Sequence, residues 1–188
     1  MGTVVNRDKL PRKFPTHMHA DEFWAALGRT VATFGFLEEI LGKAIFAFTA
    51  TREYEPTEIV AAYKAWLPKL EKALTDQLYG LAEVYEKAVR ENPKATIENV
   101  CDLVGEIKSA AKVRNVLCHG SWGSPNADGQ SVPFFVNRQN EIWITPIDVK
   151  YLDDVQAHVV GLICSVVDSV THSGFQFPGS SGPGQALA

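Results

Sequence analysis

The feature that most constrains this chain is a proline-free run of 30 residues from Asp21 to Ala50, DEFWAALGRTVATFGFLEEILGKAIFAFTA. Its apolar residues recur at steps of three and four: Phe23, Leu27, Thr30, Val31, Phe34, Leu37, Leu41, Ile45 and Phe48. That spacing lays them along one face of a long helix, which other elements must then cover. Asp21 is placed to cap its start. One residue breaks the stripe. At about 100° per residue Glu38 falls on the apolar face, four after Phe34 and three before Leu41, whereas Glu39 points away. A carboxylate in that place needs a partner or a wet cleft.

Further helical patterns follow. A second helix is predicted from near Pro56, carrying Ile59, Val60, Tyr63, Trp66, Leu67 and Leu70, with Pro68 kinking or ending its regular part. A third runs over 74–89, through Leu78, Leu81, Val84, Tyr85 and Val89, and stops at Asn92-Pro93. Thr96 is placed to cap a fourth, with Asn99 where a capping box would have Glu. Its stripe is Val100, Leu103, Val104, Ile107, Ala110, Ala111, Arg114, Leu117 and Cys118, and Gly120 ends it. The period then changes. SPNADGQ is turn-rich, and VPFFVN and EIWITPI flank Arg138-Gln139-Asn140 as a two-stranded hairpin would. A last helix is predicted over 148–170. The expected fold is mostly α: a bundle of four to five helices with a small β-hairpin inserted before the last. Residues 1–19 form a flexible basic arm, 20–172 the helical domain and 173–188 a disordered tail.

Bulk properties narrow the function. The 188 residues suit one domain, and a formal net charge of −4 offers no chain-wide field for nucleic acid, so any RNA contact must be local. Cys101, Cys118 and Cys164 form no CxxC pair; an odd count at wide spacing indicates reduced thiols and a cytoplasmic setting. The reading finds no signal core and no run apolar enough to span a membrane. Residue 6 is Asn, not the Ser or Thr of a myristoylation site.

The end of the fourth helix carries the chemistry. Arg114-Asn115-Val116-Leu117-Cys118-His119 sets two cationic-capable side chains in an apolar run that stops at a glycine. The residues alone allow two readings. Arg114 is a core-edge arginine paired with Glu38, and His119 a helix-end cation favoured by the macrodipole. Alternatively, imidazole and guanidinium serve a reaction, one moving protons near neutral pH and the other holding phosphate charge.

This stretch resembles the signature of the HEPN superfamily: an arginine, four to six residues, then a histidine, often with Asn directly after the arginine. The helical part of the chain, about residues 20 to 172, suits such a bundle. The resemblance implies a metal-independent endoribonuclease with no cofactor. In that reaction the RNA 2′-hydroxyl attacks the adjacent phosphorus and leaves a 2′,3′-cyclic phosphate. It implies His119 in proton transfer, Arg114 at the phosphate, Asn115 orienting the phosphate or the histidine, and Glu38 holding Arg114. It further implies an RNA substrate, with tRNA a candidate, a toxin–antitoxin or phage-defence setting, and an antitoxin partner. Five positions along a helix turn a side chain by about 140°, so Arg114 and His119 do not share a face. Unwinding at Gly120, or a homodimer that builds one cleft from two motifs, would resolve this. The alternative function is a non-catalytic dimeric scaffold binding a nucleotide, RNA or protein.

Other residues offer less. His17 and His19 form an HxH in the arm without a carboxylate or thiol beside them, which favours a surface role over a metal site. His158 and His172 are expected to be structural or surface residues. Trp122 is expected to plug the hairpin against the bundle rather than stack on a base. Arg138 and Lys150 are lone surface charges.

Overall fold

The computed structural model describes residues 5–52, 54–74 and 77–180, with residues 72–74 described in backbone only. Five α-helices form the bundle: α1 (Asp21–Ala50), α2 (Ile59–Leu74), α3 (Leu78–Arg90), α4 (Val100–His119) and α5 (Val149–His172). α1 is the central element and packs against all four others, most extensively along α5. Thr30 shows how closely the two approach: its hydroxyl donates to the Ala26 carbonyl and to the Leu152 carbonyl of α5. The expected stripe is the buried face of α1, with Phe34, Leu37, Leu41 and Phe48 at its centre. Phe48 meets Tyr85 of α3, whose hydroxyl donates to the Ser169 Oγ of α5 at 2.6 Å. α3 and α4 run antiparallel, tied by Lys108 to Glu83 and by Arg90 to Cys101.

Several boundaries differ from expectation. Ala20, not Asp21, is the N-cap residue of α1; Asp21 lies in its first turn and pairs with Lys13. α2 continues through Pro68 instead of ending there. Thr96 does not cap α4. Its hydroxyl donates to the His172 carbonyl, and Asn99 takes the N-cap position. Cys118 is exposed rather than on the stripe. α5 starts as expected, because the Asp148 carboxylate accepts from the Tyr151 N–H at 2.7 Å. That bond holds the Asp148 carboxyl below its usual range. By length and composition α5 is apolar enough to cross a membrane, unlike the expectation from the run alone. Here Leu152, Val159, Leu162 and Val166 are buried along α1.

The segment beyond α5 is not a free tail throughout. Phe177 is buried and Phe175 meets Phe48 edge-on, so residues 173–180 close the end of the core. Residues 1–4 of the arm and 181–188 of the tail lie outside the described residues.

The hairpin expected over VPFFVN and EIWITPI is not formed: among the described residues there is no strand. Three isolated antiparallel bridges stand in its place, joining Ser121 to Phe134, Ser131 to Ile147 and Val136 to Ile142. Pro133 interrupts the ladder: in this register it faces Thr145 and has no N–H to donate.

Gly120 ends α4 for a different reason than expected. Its φ of −68° and ψ of 141° are open to any residue. Space is the constraint: a Cβ there would lie 2.6 Å from the Val116 carbonyl oxygen and 2.8 Å from the Pro133 Cβ. Gly120→Ala must therefore push the 131–147 segment off the helix end. We expect a loss of about 1–3 kcal/mol, read as a Tm lower by several degrees. An unchanged Tm would show that Pro133 yields freely.

Candidate functional site

α1 and α4 bring Glu38 and Arg114 together. An Arg114 guanidinium nitrogen lies 3.6 Å from Glu38 Oε1, with both side chains about one-quarter exposed. The stripe-breaking acid thus meets a cation on the neighbouring helix, as its position requires. The contact is ionic and loose. Glu38 Oε1 is buried yet accepts no hydrogen bond. Arg114 is therefore tethered at one point, without the two parallel bonds of a locked arginine–carboxylate fork.

His119 is the last residue of α4 and is exposed. Asn115 is half-buried, one position past Arg114. Within one chain Arg114 faces Glu38 at the helix packing and His119 faces solvent. The structure joins Glu38 and Arg114 of the four expected site residues by contact, and among the described residues His119 makes no hydrogen bond or ion pair to either. Two clefts, each of about 310 Å³, lie away from the motif. One lies between the starts of α1 and α5 and is lined by His19, Glu22, Asp148 and Lys150. The other lies beyond the end of α1, beside Arg52, Tyr63 and Trp66.

Trp122 packs with Phe23, Trp24 and His19, with ring centroids 5.1 to 6.3 Å apart, so its face is spent inside the protein. His158 and His172 are exposed. His17 is exposed, but His19 is not the surface residue its place in the arm suggests. It is buried and stacked on Phe23, with Nε2 lacking a partner. Among the described residues no group of three or more His, Cys, Asp and Glu is placed to hold a metal ion. The aromatic density around 19–24 is the sequence signal for this burial: His19, Phe23 and Trp24 lie close enough in the chain to share one cluster.

Burial holds the His19 imidazole below its ordinary pKa of 6.5. The unfolded chain therefore binds the proton more readily than the folded one. The stabilising effect is complete above about 6.5 and is lost as pH falls through that value toward the lower folded pKa. Urea unfolding at pH 7.5 and 5.5 tests this: His19→Phe should narrow the stability difference between the two, and an unchanged difference would refute it.

Comparison with protein-family models, curated proteins and solved structures returned no match.

Proposed function

We propose that this protein is an endoribonuclease that cleaves RNA through attack of a 2′-hydroxyl on the adjacent phosphorus. The bond from phosphorus to the 5′-oxygen breaks, leaving a 2′,3′-cyclic phosphate and a 5′-hydroxyl. His119 takes the 2′-hydroxyl proton or delivers one to the leaving oxygen. Arg114 holds charge on the phosphorane oxygens, and Asn115 orients the phosphate or the imidazole. Glu38 is a positioning residue that aims Arg114. Because His119 and Arg114 lie apart in one chain, the working site takes the imidazole of one copy and the guanidinium of the other. The setting we assign is toxin–antitoxin or phage defence, with a cognate antitoxin and with tRNA among the substrates.

The observation that supports this reading is the Arg114–Glu38 contact itself. It keeps a charged fork at the helix packing with most of its donors uncommitted, directly before Asn115 and five residues before an exposed imidazole. The test is incubation with total RNA and with tRNA in the presence of chelator, with the product ends analysed. Cyclic phosphate ends are expected. Intact RNA, or cleavage that chelator abolishes, would refute the proposal.

A second reading has its own support. The packing of Arg114 against Glu38, and the position of both clefts described above away from the motif, favour a non-catalytic dimeric scaffold that binds a nucleotide, RNA or protein. It predicts RNA left intact by a dimeric protein.

A further inference from the structure

The segment between α4 and α5 has two unlike faces. Its inner face is spent on the bundle: Ile147 is fully buried, and Phe135, Trp143 and Trp122 pack against the core. Its outer face is apolar and uncovered. Val132, Phe134 and Val136 are 46, 69 and 41% exposed, and Ile142 and Ile144 are 60 and 79% exposed. These are alternate residues, and alternate residues share one side of extended chain. The bridges 131–147 and 136–142 share one register, as do the backbone bonds from Trp143 to Phe135 and from Asn137 to Glu141. That register sets Val136 opposite Ile142 and Phe134 opposite Ile144. Five large β-branched or aromatic side chains therefore form one patch, which a soluble surface rarely presents without a partner.

We propose that this face is where a second copy of the chain docks, about a two-fold axis that carries both α4 C-termini to one cleft. The proposal rests on the ribonuclease reading for the placing of the two-fold axis beside the motif; the apolar face, its flanking charges and its area stand without that reading. Four observations select a second copy as the occupant. First, the patch adjoins the motif: Phe134 exchanges both backbone hydrogen bonds with Ser121, two residues past His119, at 2.8 and 2.9 Å. A two-fold axis at Phe134 therefore draws the two His119 side chains toward each other. Second, on the ribonuclease reading the site is incomplete in one chain, because Arg114 and His119 leave α4 about 140° apart. Third, the turn at the edge of the patch carries Arg138 and Glu141. A two-fold contact can oppose each to its counterpart of unlike charge, so the surface complements itself. Fourth, the size fits: about 100 Å² of apolar surface on each of five residues gives a two-fold contact burying about 1,000 Å² in total, the lower bound for a specific interface.

The test is molar mass by light scattering across a concentration series. The native chain is expected at twice its 20.7 kDa. Phe134→Glu and Ile144→Lys, made separately at exposed positions, should each raise the dimer dissociation constant about 30-fold or more. Tyr63→Lys, on the separate exposed apolar face of α2, should leave the mass unchanged. Hydrogen exchange on the native chain gives a second measurement that needs no variant: amides over 132–136 and 142–144 should gain protection at concentrations where the mass doubles. A native chain of single mass, a dimer indifferent to both face variants, or one split only by Tyr63→Lys would overturn the proposal, as would a single-mass chain whose face is covered by a different protein. The two readings fail separately. A dimer broken by Phe134→Glu that cuts no RNA keeps the docking face and removes the ribonuclease. RNA cut by a monomer removes the docking face together with the two-copy site, and leaves cleavage itself standing.

Discussion

Replacing His119 by alanine is expected to lower RNA cleavage by about 10²- to 10⁴-fold, the usual contribution of a positioned acid–base group. Stability should hardly move. His119 is exposed at the last position of α4, so its loss opens no cavity and strands no buried partner. The removed macrodipole cation is worth at most several tenths of a kcal/mol at an exposed site. This separation between a large kinetic and a small thermodynamic effect distinguishes a reacting group from an ornamental helix-end cation. Cleavage that persists in His119→Ala at native rate would remove the imidazole from the mechanism.

Replacing Arg114 by alanine should cost both quantities. Loss of a charge aimed at the phosphorane is expected to lower cleavage by about 10²- to 10³-fold. The fold should lose about 1–3 kcal/mol, between the small value of an exposed ion pair and the larger one of a buried pair. The reason is Glu38, whose Oε1 is already buried without a hydrogen bond and would lose the one cation it pairs with among the described residues. Arg114→Lys keeps the charge without the planar fork, so it should recover stability more fully than activity. Glu38→Gln tests the positioning role. It should reduce cleavage less than Arg114→Ala does, and its effect should vanish when Arg114 is already alanine. Additive effects in that double-mutant cycle would show that the two residues act independently. Urea unfolding and initial cleavage rates on the same four proteins measure both halves of the prediction.

Much of the helical frame was legible because helix formation and helix burial share one period. The stripe from Phe23 to Phe48 predicted both α1 and its buried face, and Asp148 announced the start of α5. Glu38 was legible as an anomaly for the same reason: a carboxylate at a core position requires a neighbour, and the nearest suitable cation came from another amphipathic helix. Local pattern misled where a distant partner competed for a group. Thr96 had the chemistry of a cap, but its hydroxyl found the end of α5. His19 lay in a polar arm, but three aromatic rings enclosed it. VPFFVN and EIWITPI alternate as strands do, yet Pro133 breaks the ladder and leaves only isolated bridges in one register.

By itself, the sequence determined where the helices would lie to within a few residues, which side of α1 would be apolar, and which short motif could carry chemistry. All three follow from periodicity and residue type, which act over a few positions of chain. The tertiary structure alone decided that Glu38 reaches Arg114, that Gly120 is held by the approach of Pro133, and that an apolar face beside the motif is left uncovered. Those outcomes depend on how closely elements far apart in sequence approach one another. Packing fixes such distances, and no local pattern records them.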